Sequence, residues 1–550
     1  MVASAQSLSS RRYDVCIVGT GPAGIPLALE LERLKPDWHI LVLEFGIGGE
    51  ATNELDDTIQ IETPLNHHSP YECTNKGLGG SSATWGGRCV TYDDIDFMQR
   101  DVIGDHCTWD LGIFEDAKRF YDRASVYLEC GEPVFSTHEI PAISKGRISE
   151  HFIEGDITDC MLERWSRPTR LGPAYRDAIL ASSSIELAEG FRADKILCEG
   201  AKVIGLEATN RQTKTTVTVL ADKFVVAAGA QESTRLLLKS PEVFKERGGV
   251  PDSLGAYYQG HVSGKICSVR FKGDPKKTDF GFLKDGEIYV RRRFQLPTSI
   301  LLRENLLNTV LWLDNPPYYD ASHRNGTMSF IYLMMITPVL SKKLAPPAIA
   351  NSVTHGSVTG VGKHIGNVLR GLPKSVIEPF QIFVKRYFAK RKLPGVFLYN
   401  SKNEYALHFH AEQVPAEENR MELLADGSTL SIRYGYLPAD VDSVIRTHAL
   451  LDQWLRQTGA GELVYWYPKE ELGEKIVAGS KDGVHQVGTT RMSLKSDDGV
   501  VDPDLLVWGT SNLYVCSSSV FPTSGQANPT FLLTAFAARL AQHLVHQIPG

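Results

Sequence analysis

Asp14-Val15-Cys16-Ile17-Val18-Gly19-Thr20-Gly21-Pro22-Ala23-Gly24 decides the fold. Asp14 to Val18 is a short β-branched run, as a buried parallel strand would be. A Gly-x-Gly-x-x-Gly turn follows at once. Ile25 to Leu34 then has helical apolar spacing, and His39 to Leu43 reads as a second strand ending at Glu44. Gly19 permits the tight turn, Gly21 lets a pyrophosphate approach the backbone, and Gly24 lets helix and strand pack closely. The helix N-terminus faces the phosphates. Glu44, 20 residues after the third glycine, is placed for a ribose hydroxyl. Pro26 falls in the first helical turn, where proline is tolerated. The pattern predicts an α/β, Rossmann-like dinucleotide-binding unit, and by itself it does not separate FAD from NAD.

The remaining 550-residue composition bounds the class: 42% hydrophobic and 22% charged residues suit a globular protein. A net charge of −7 argues against a nucleic-acid binder. Nine cysteines are scattered with no Cys-x-x-Cys, which predicts reduced thiols and no zinc site. Arg11-Arg12 leads into strand rather than an apolar h-region, so no signal peptide is expected. The longest apolar run, Phe330 to Leu340, is too short to span a bilayer. A cytoplasmic location is the expectation.

Further blocks belong with the first. Leu78-Gly79-Gly80-Ser81-Ser82-Ala83-Thr84-Trp85 is a second glycine-rich stretch, suited to backbone passing close to a ligand; the alternative is a mobile surface loop. Phe224 to Ala230 reads as a strand entering a small-residue turn at Gly229. Ile185 to Leu197, Lys202 to Glu207 and Thr215 to Leu220 read as a small sheet beside the first unit. Near the C-terminus, Leu513 to Cys516 is a last strand. Asn528 fits N-cap and Pro529 N1 of an apolar helix over Phe531 to Val545, whose positive end points at whatever lies in front.

His485, Gly488, Thr489, Arg491 and Met492, then Asn512-Leu513-Tyr514-Val515, Ser519-Val520-Phe521-Pro522 and Asn528-Pro529-Thr530, resemble the C-terminal signature of the glucose–methanol–choline (GMC) oxidoreductases. The resemblance covers the chain's two ends and the strand-turn near Gly229. It implies a Rossmann-like FAD-binding domain of the GMC/p-hydroxybenzoate hydroxylase type, joined to a discontinuous substrate domain on a mostly antiparallel sheet. Within the family, the 78–85 loop is most similar to the pyranose 2-oxidase branch and its bacterial relatives that oxidise sugars or glycosides. Fungal members of that branch carry a flavin-linking histidine where this chain has Thr84, so noncovalent FAD is expected. His67 and His68 stand upstream as alternative anchors. Two positions depart from the pattern: Ser517 replaces the usual carboxylate, and Lys239-Ser240-Pro241 stands where the second signature ends. Gly255 and Gly260-His261 resemble the segment that closes the flavin domain.

The resemblance assigns His485 as the base that takes the proton of an alcohol and Asn528 as its partner on the same oxygen, while hydride leaves for flavin N5. The bland alternative is a satisfied core histidine and a plain helix cap. Expected cofactor contacts are Gly19, Gly21, Gly24, Glu44, Gly79, Gly80, Ser81, Ser82, Thr84, Trp85, Gly229, Ser517, Pro529 and Thr530. Arg491 is expected to be structural, paired with an acid. His408 and His410 share one face of a strand that also carries Glu412 and Gln413. That face is a solvated sheet face or a sugar-binding wall; no third ligand is spaced for metal, and none is expected.

The FAD domain is expected at 1–95, 190–265 and 480–550, and the substrate domain at 96–189 and 266–479. Residues 341–395 form a basic insert with ten Lys and Arg against Glu378 alone. Interleaved hydrophobics make it similar to a basic amphipathic helix for an anionic membrane; a lid or a homo-oligomer contact is the alternative. The reading is oxidation of a secondary alcohol of a sugar or glycoside to a ketone, with oxygen, a quinone or another electron acceptor. A non-sugar alcohol, a non-redox lyase on the same fold, and a flavoprotein docked to a membrane electron carrier are the competing functions.

Overall fold

The computed structural model describes the chain apart from residues 1–7, 10, 54–57, 145, 168, 345–349, 351–352, 355–357, 388–393, 396, 399–401 and 547–550. Lys390, Arg391 and Lys392 of the basic insert therefore lie outside the described residues.

Arg12–Val18 is the buried centre of a parallel sheet. It pairs on one side with Ile40–Glu44, which pairs in turn with Ile185–Glu189. On its other side lies Thr216–Val226. This strand of 11 residues serves two further partners on its far edge. Its first half closes an antiparallel meander with Lys202–Asn210 and Phe191–Glu199; its second half runs parallel to Leu513–Val515. The expected division into Thr215–Leu220 and Phe224–Ala230 is thus corrected to one continuous strand, and Ile185–Leu197 divides into two strands at Gly190, whose φ is +81°. The sheet also begins upstream of residue 190, because Ile185–Glu189 belongs to it. Helices Gly24–Leu34 and Thr530–His546 pack together over this sheet and share its hydrophobic core.

A second core surrounds an antiparallel sheet in the order Phe294–Gln295, Thr309–Asp314, Glu404–Glu412, His261–Phe271, Gly461–Tyr465. His261–Phe271 lies wholly in this sheet, so one strand runs across the division expected at residues 265 and 266. Helix Pro438–Thr458 covers it, burying Val444, Leu451 and Leu455 at heptad-like spacing. Between Asp314 and Glu404 the chain leaves the sheet as a group of helices, Gly326–Met335, Val361–Arg370 and Lys374–Tyr387 among them. Among the described residues no helix is long and apolar enough to cross a membrane.

Candidate active site

The glycine turn between the first strand and helix borders a cavity of about 300 Å³. Gly19 has φ +104°, and a Cβ there would lie 2.6 Å from the Ala227 carbonyl oxygen. A Cβ on Gly24 would lie 1.9 Å from the Gly19 oxygen, whereas the space in front of Gly21 is open. Only glycines let the strand, helix and neighbouring turn close up while leaving room at Gly21 for a ligand. Gly80, Ser81, Gly229 and Ser517 line the same cavity, with Cys516 and Ser518. The Ser517 side chain also caps the 3-10 turn Ser518–Val520 by accepting from Ser519 N at 3.2 Å.

Several expected contacts turn inward to the protein. Glu44 borders the cavity but is buried, and its carboxylate accepts from Thr20 N (3.2 Å), Thr20 Oγ1 (2.5 Å), Gly46 N (2.7 Å) and Gly77 N (2.9 Å). Those donors occupy its acceptor positions, so Glu44 ties both glycine loops to the second strand rather than reaching freely for a ribose. Ser82 donates to Gly79 O (2.6 Å) and accepts from Leu171 N (3.0 Å). Trp85 is half-buried and donates to Thr169 O; Thr84 is exposed and accepts from Asn75. The nitrogens of His67 face His68 O at 2.6 Å and Tyr258 Oη at 2.7 Å, both protein partners.

His485 and Asn528 meet: Asn528 Nδ2 lies 2.6 Å from His485 Nε2. The helix begins at Thr530, one residue beyond the expected start, with Pro529 O accepting from Leu533 N at 2.9 Å. Asn528 is therefore no N-cap; its Nδ2 meets His485 while its Oδ1 is left open. Behind the imidazole, Asp482 Oδ2 lies 3.4 Å from His485 Nδ1, and Asp482 Oδ1 accepts from the His485, Val484 and Gly483 backbone amides. His485 thus has a carboxylate near Nδ1 and the Asn528 amide against Nε2, although Nδ1 makes no well-aligned hydrogen bond. Burial alone would raise the Asp482 carboxyl, but the His485 and His261 rings outweigh it and hold it well below the usual range.

The same carboxylate reaches His261, accepting from its backbone N (2.7 Å) and facing its Nδ1 (3.2 Å). His410 stacks on His261 at 4.1 Å between centroids, and both rings stand edge-on to His485. Burial pushes both His261 and His410 below the ordinary imidazole value, and each ring's charge would oppose its neighbours'. The ligating nitrogens of His261, His410 and His485 lie within 4.8 Å of one another. His408 is not part of this group: the strand supplies only His410, and two other segments supply the rest. Spacing along one strand could not show this.

The rest of that strand departs from expectation. Glu412 is fully buried in a two-pronged ion pair with Arg100 (2.7 and 2.8 Å) and accepts from Asn308 N (2.9 Å). Gln413 accepts from Gly260 N and donates to Gly435 O. Both are internal braces rather than substrate contacts. His408 stacks on Trp312 at 4.4 Å and hydrogen-bonds Ser263 Oγ at 3.0 Å. His410 is buried, so the solvated-face reading does not hold there. Among the described residues Arg491 makes no ion pair with an acid: it donates to Asp498 O and lies 3.7 Å over the Tyr257 ring.

Residues the sequence did not single out complete the wall. Arg88 and Arg291 lie over Trp312, which packs beside His408 and His410, and Glu163 pairs with both arginines. His261 Nε2, His410 Nε2, Asn528 Oδ1 and Arg88 Nε are buried without a protein hydrogen-bond partner. Native proteins pair nearly all such atoms, so these converging orphans mark where a polar ligand is received. Gly260-His261 was the sequence signal for His261; nothing pointed to Arg88, Arg291 or Trp312.

Residues 415–537 match the family model "GMC oxidoreductase". A C-glycoside 3-oxidase of Microbacterium trichothecenolyticum is 43% identical over 67 residues, a match that spans only 12% of this chain and 13% of that protein. A paromamine 6'-oxidase of Streptomyces fradiae is 24% identical over 97% of this chain and 91% of its own length. A formate oxidase structure aligns with a TM-score of 0.52 at 16% identity, covering 98% of both chains. The C-terminal part of the chain thus matches a GMC oxidoreductase domain, and the chain as a whole shares its fold with the formate oxidase.

Proposed function

We propose that the protein oxidises a secondary alcohol of a sugar or glycoside to a ketone, with His485 as base, Asn528 as its partner and FAD held without a covalent bond. The observation that carries this is the 2.6 Å approach of Asn528 Nδ2 to His485 Nε2, beside buried polar atoms that lack protein partners. The sugar class rests on the names of the two oxidase relatives.

The cavity fits the cofactor's phosphate end: a glycine cradle that a Cβ would fill, at a helix N-terminus, with open space before Gly21. Gly19, Gly21, Gly24, Gly80, Ser81, Gly229 and Ser517 would hold it there. When bound, FAD supplies the acceptor for the hydride that leaves the carbinol carbon. His485 accepts the hydroxyl proton at Nε2, and Asp482, ionised at neutral pH, steadies the resulting imidazolium through Nδ1. Asn528 fixes the alcohol oxygen in line with that lone pair. His261 and His410, kept neutral by burial, offer hydrogen bonds to neighbouring ring hydroxyls without adding charge that would oppose protonation of His485. Arg88 and Arg291 keep the wall electropositive, favouring developing negative charge. Thr84 offers no imidazole for a flavin bond, and both His67 nitrogens are engaged within the protein.

Incubation with a panel of hexoses, pentoses and O- and C-glycosides, with products assigned by NMR, tests the reading. A ring ketone formed by wild type and lost in His485→Ala supports it; turnover of non-sugar alcohols alone, or no oxidised product from any alcohol, refutes the assignment.

A further inference from the structure

The helices Val361–Arg370 and Lys374–Tyr387 are built inside out. In a globular protein the apolar stripe of a surface helix faces the core. Here the inward stripe is polar. His364 is fully buried, hydrogen-bonds Ser329 Oγ (3.0 Å) and Tyr319 O (3.1 Å), and stacks on Tyr332. Asn367, also buried, donates to Ala321 O and Ser329 Oγ. Glu378, the stretch's one acid, turns inward to accept from Thr327 Oγ1 at 2.6 Å.

The outward stripe is apolar at helical spacing. Val361, Ile365 and Leu369 follow one another along the first helix, and Val376, Ile377, Phe380 and Val384 along the second, with Leu372 at the bend. Leu369 is 63% and Phe380 68% exposed. Val339, Leu340 and Val358, earlier in the same insert, are also exposed. Singly exposed apolar residues are ordinary, but a contiguous set backed by a satisfied polar inner face marks an interaction surface. Its rim is cationic: Lys363, Arg370 and Lys374 are exposed. Over 361–387 the sequence has five Lys and Arg against one acid, in a chain whose net charge is −7.

We propose that this helical pair is a peripheral docking surface for an anionic lipid bilayer, its apolar stripe sunk to the acyl boundary and its Lys and Arg at the headgroups. A second copy fits poorly, because two such faces would set cation against cation. The proposal stands apart from the alcohol chemistry, since no residue of the histidine cluster belongs to these helices.

Flavin-loaded full-length protein is sedimented with vesicles of phosphatidylcholine alone, and with vesicles of phosphatidylcholine and phosphatidylglycerol mixed one to one. Wild type is expected to pellet with the mixed vesicles, to be released by high salt, and to remain largely in solution with phosphatidylcholine. The double variant Leu369→Glu/Phe380→Asp should bind more than tenfold more weakly. Each of Lys363→Glu and Lys374→Glu should weaken binding about fivefold. All are expected to keep wild-type flavin content and melting temperature, since these side chains are exposed. Three results would overturn the proposal: no pelleting, equal binding to both vesicle types, or undiminished binding by the double variant. So would a dimer in analytical ultracentrifugation that the double variant dissociates while wild type ignores vesicles.

Discussion

The two ends of the proposed reaction path are built on different principles. At the phosphate end the backbone forms the site: glycines with no room for a Cβ, a helix terminus, and a buried Glu44 that staples the loops. At the histidine end side chains form it, and they come from His261, His410, Asp482, His485 and Asn528, far apart in sequence. A backbone site is local and tolerates change outside its turn. A side-chain site depends on every strand register that brings its parts together.

Breaking the side-chain end should cost most in rate. His485→Ala is expected to lower the rate of alcohol-driven flavin reduction by ~10²–10⁴-fold, the usual worth of a general base. Stopped-flow reduction under anaerobic conditions measures it, and a near-wild-type rate would dissolve the distinction between the two ends.

Glu412 separates bracing from binding. Glu412→Ala leaves Arg100 buried and uncompensated, and should destabilise the fold by about 3–5 kcal/mol. KM of the surviving folded enzyme should hold; a large KM rise at unchanged melting temperature would return Glu412 to the substrate wall.

At the backbone end, Gly24→Val forces a side chain against the Gly19 carbonyl. The expected result is a loss of about 1–3 kcal/mol and a lower ratio of flavin to protein absorbance, with no change in the Asp482–His485 pair.

The most gradual effect is spread over pH. Burial holds His67, His408 and His448 down to about 4. Below an unfolded value near ~6.5 the unfolded chain takes up protons that these folded sites refuse, so stability is full above that pH and falls as pH drops towards 4. Each site contributes up to ~1.4 kcal/mol per pH unit across that window. Melting temperatures from pH 7 to pH 5 should show the slope, and His448→Leu should make it shallower; an unchanged slope would count against a protonation cost at that site.

The same contrast explains what was legible in the sequence. Gly19 to Gly24 announces itself because strand, turn and helix are contiguous and each glycine has a local cause. His485 and Asn528 were legible as a pair through their motif, although Asn528 also fits a helix cap, and only the tertiary fold sends its amide to His485. Glu412 looked available because strand alternation gives a face but not what covers it; Arg100 comes from a segment 312 residues away. His261 and His410 converge through the antiparallel pairing of their strands, which neither local pattern specifies. The basic insert showed its amphipathic period plainly, but which stripe turns inward depends on Ser329, Ala321 and Thr327 beneath it.

An anaerobic absorbance titration of the purified holoenzyme with sugars and glycosides tests the central claim most directly. Loss of the flavin band near ~450 nm on adding one of them, in wild type and not in His485→Ala, is the predicted result. A bound flavin that no sugar or glycoside bleaches, or one bleached equally well without His485, would contradict the account.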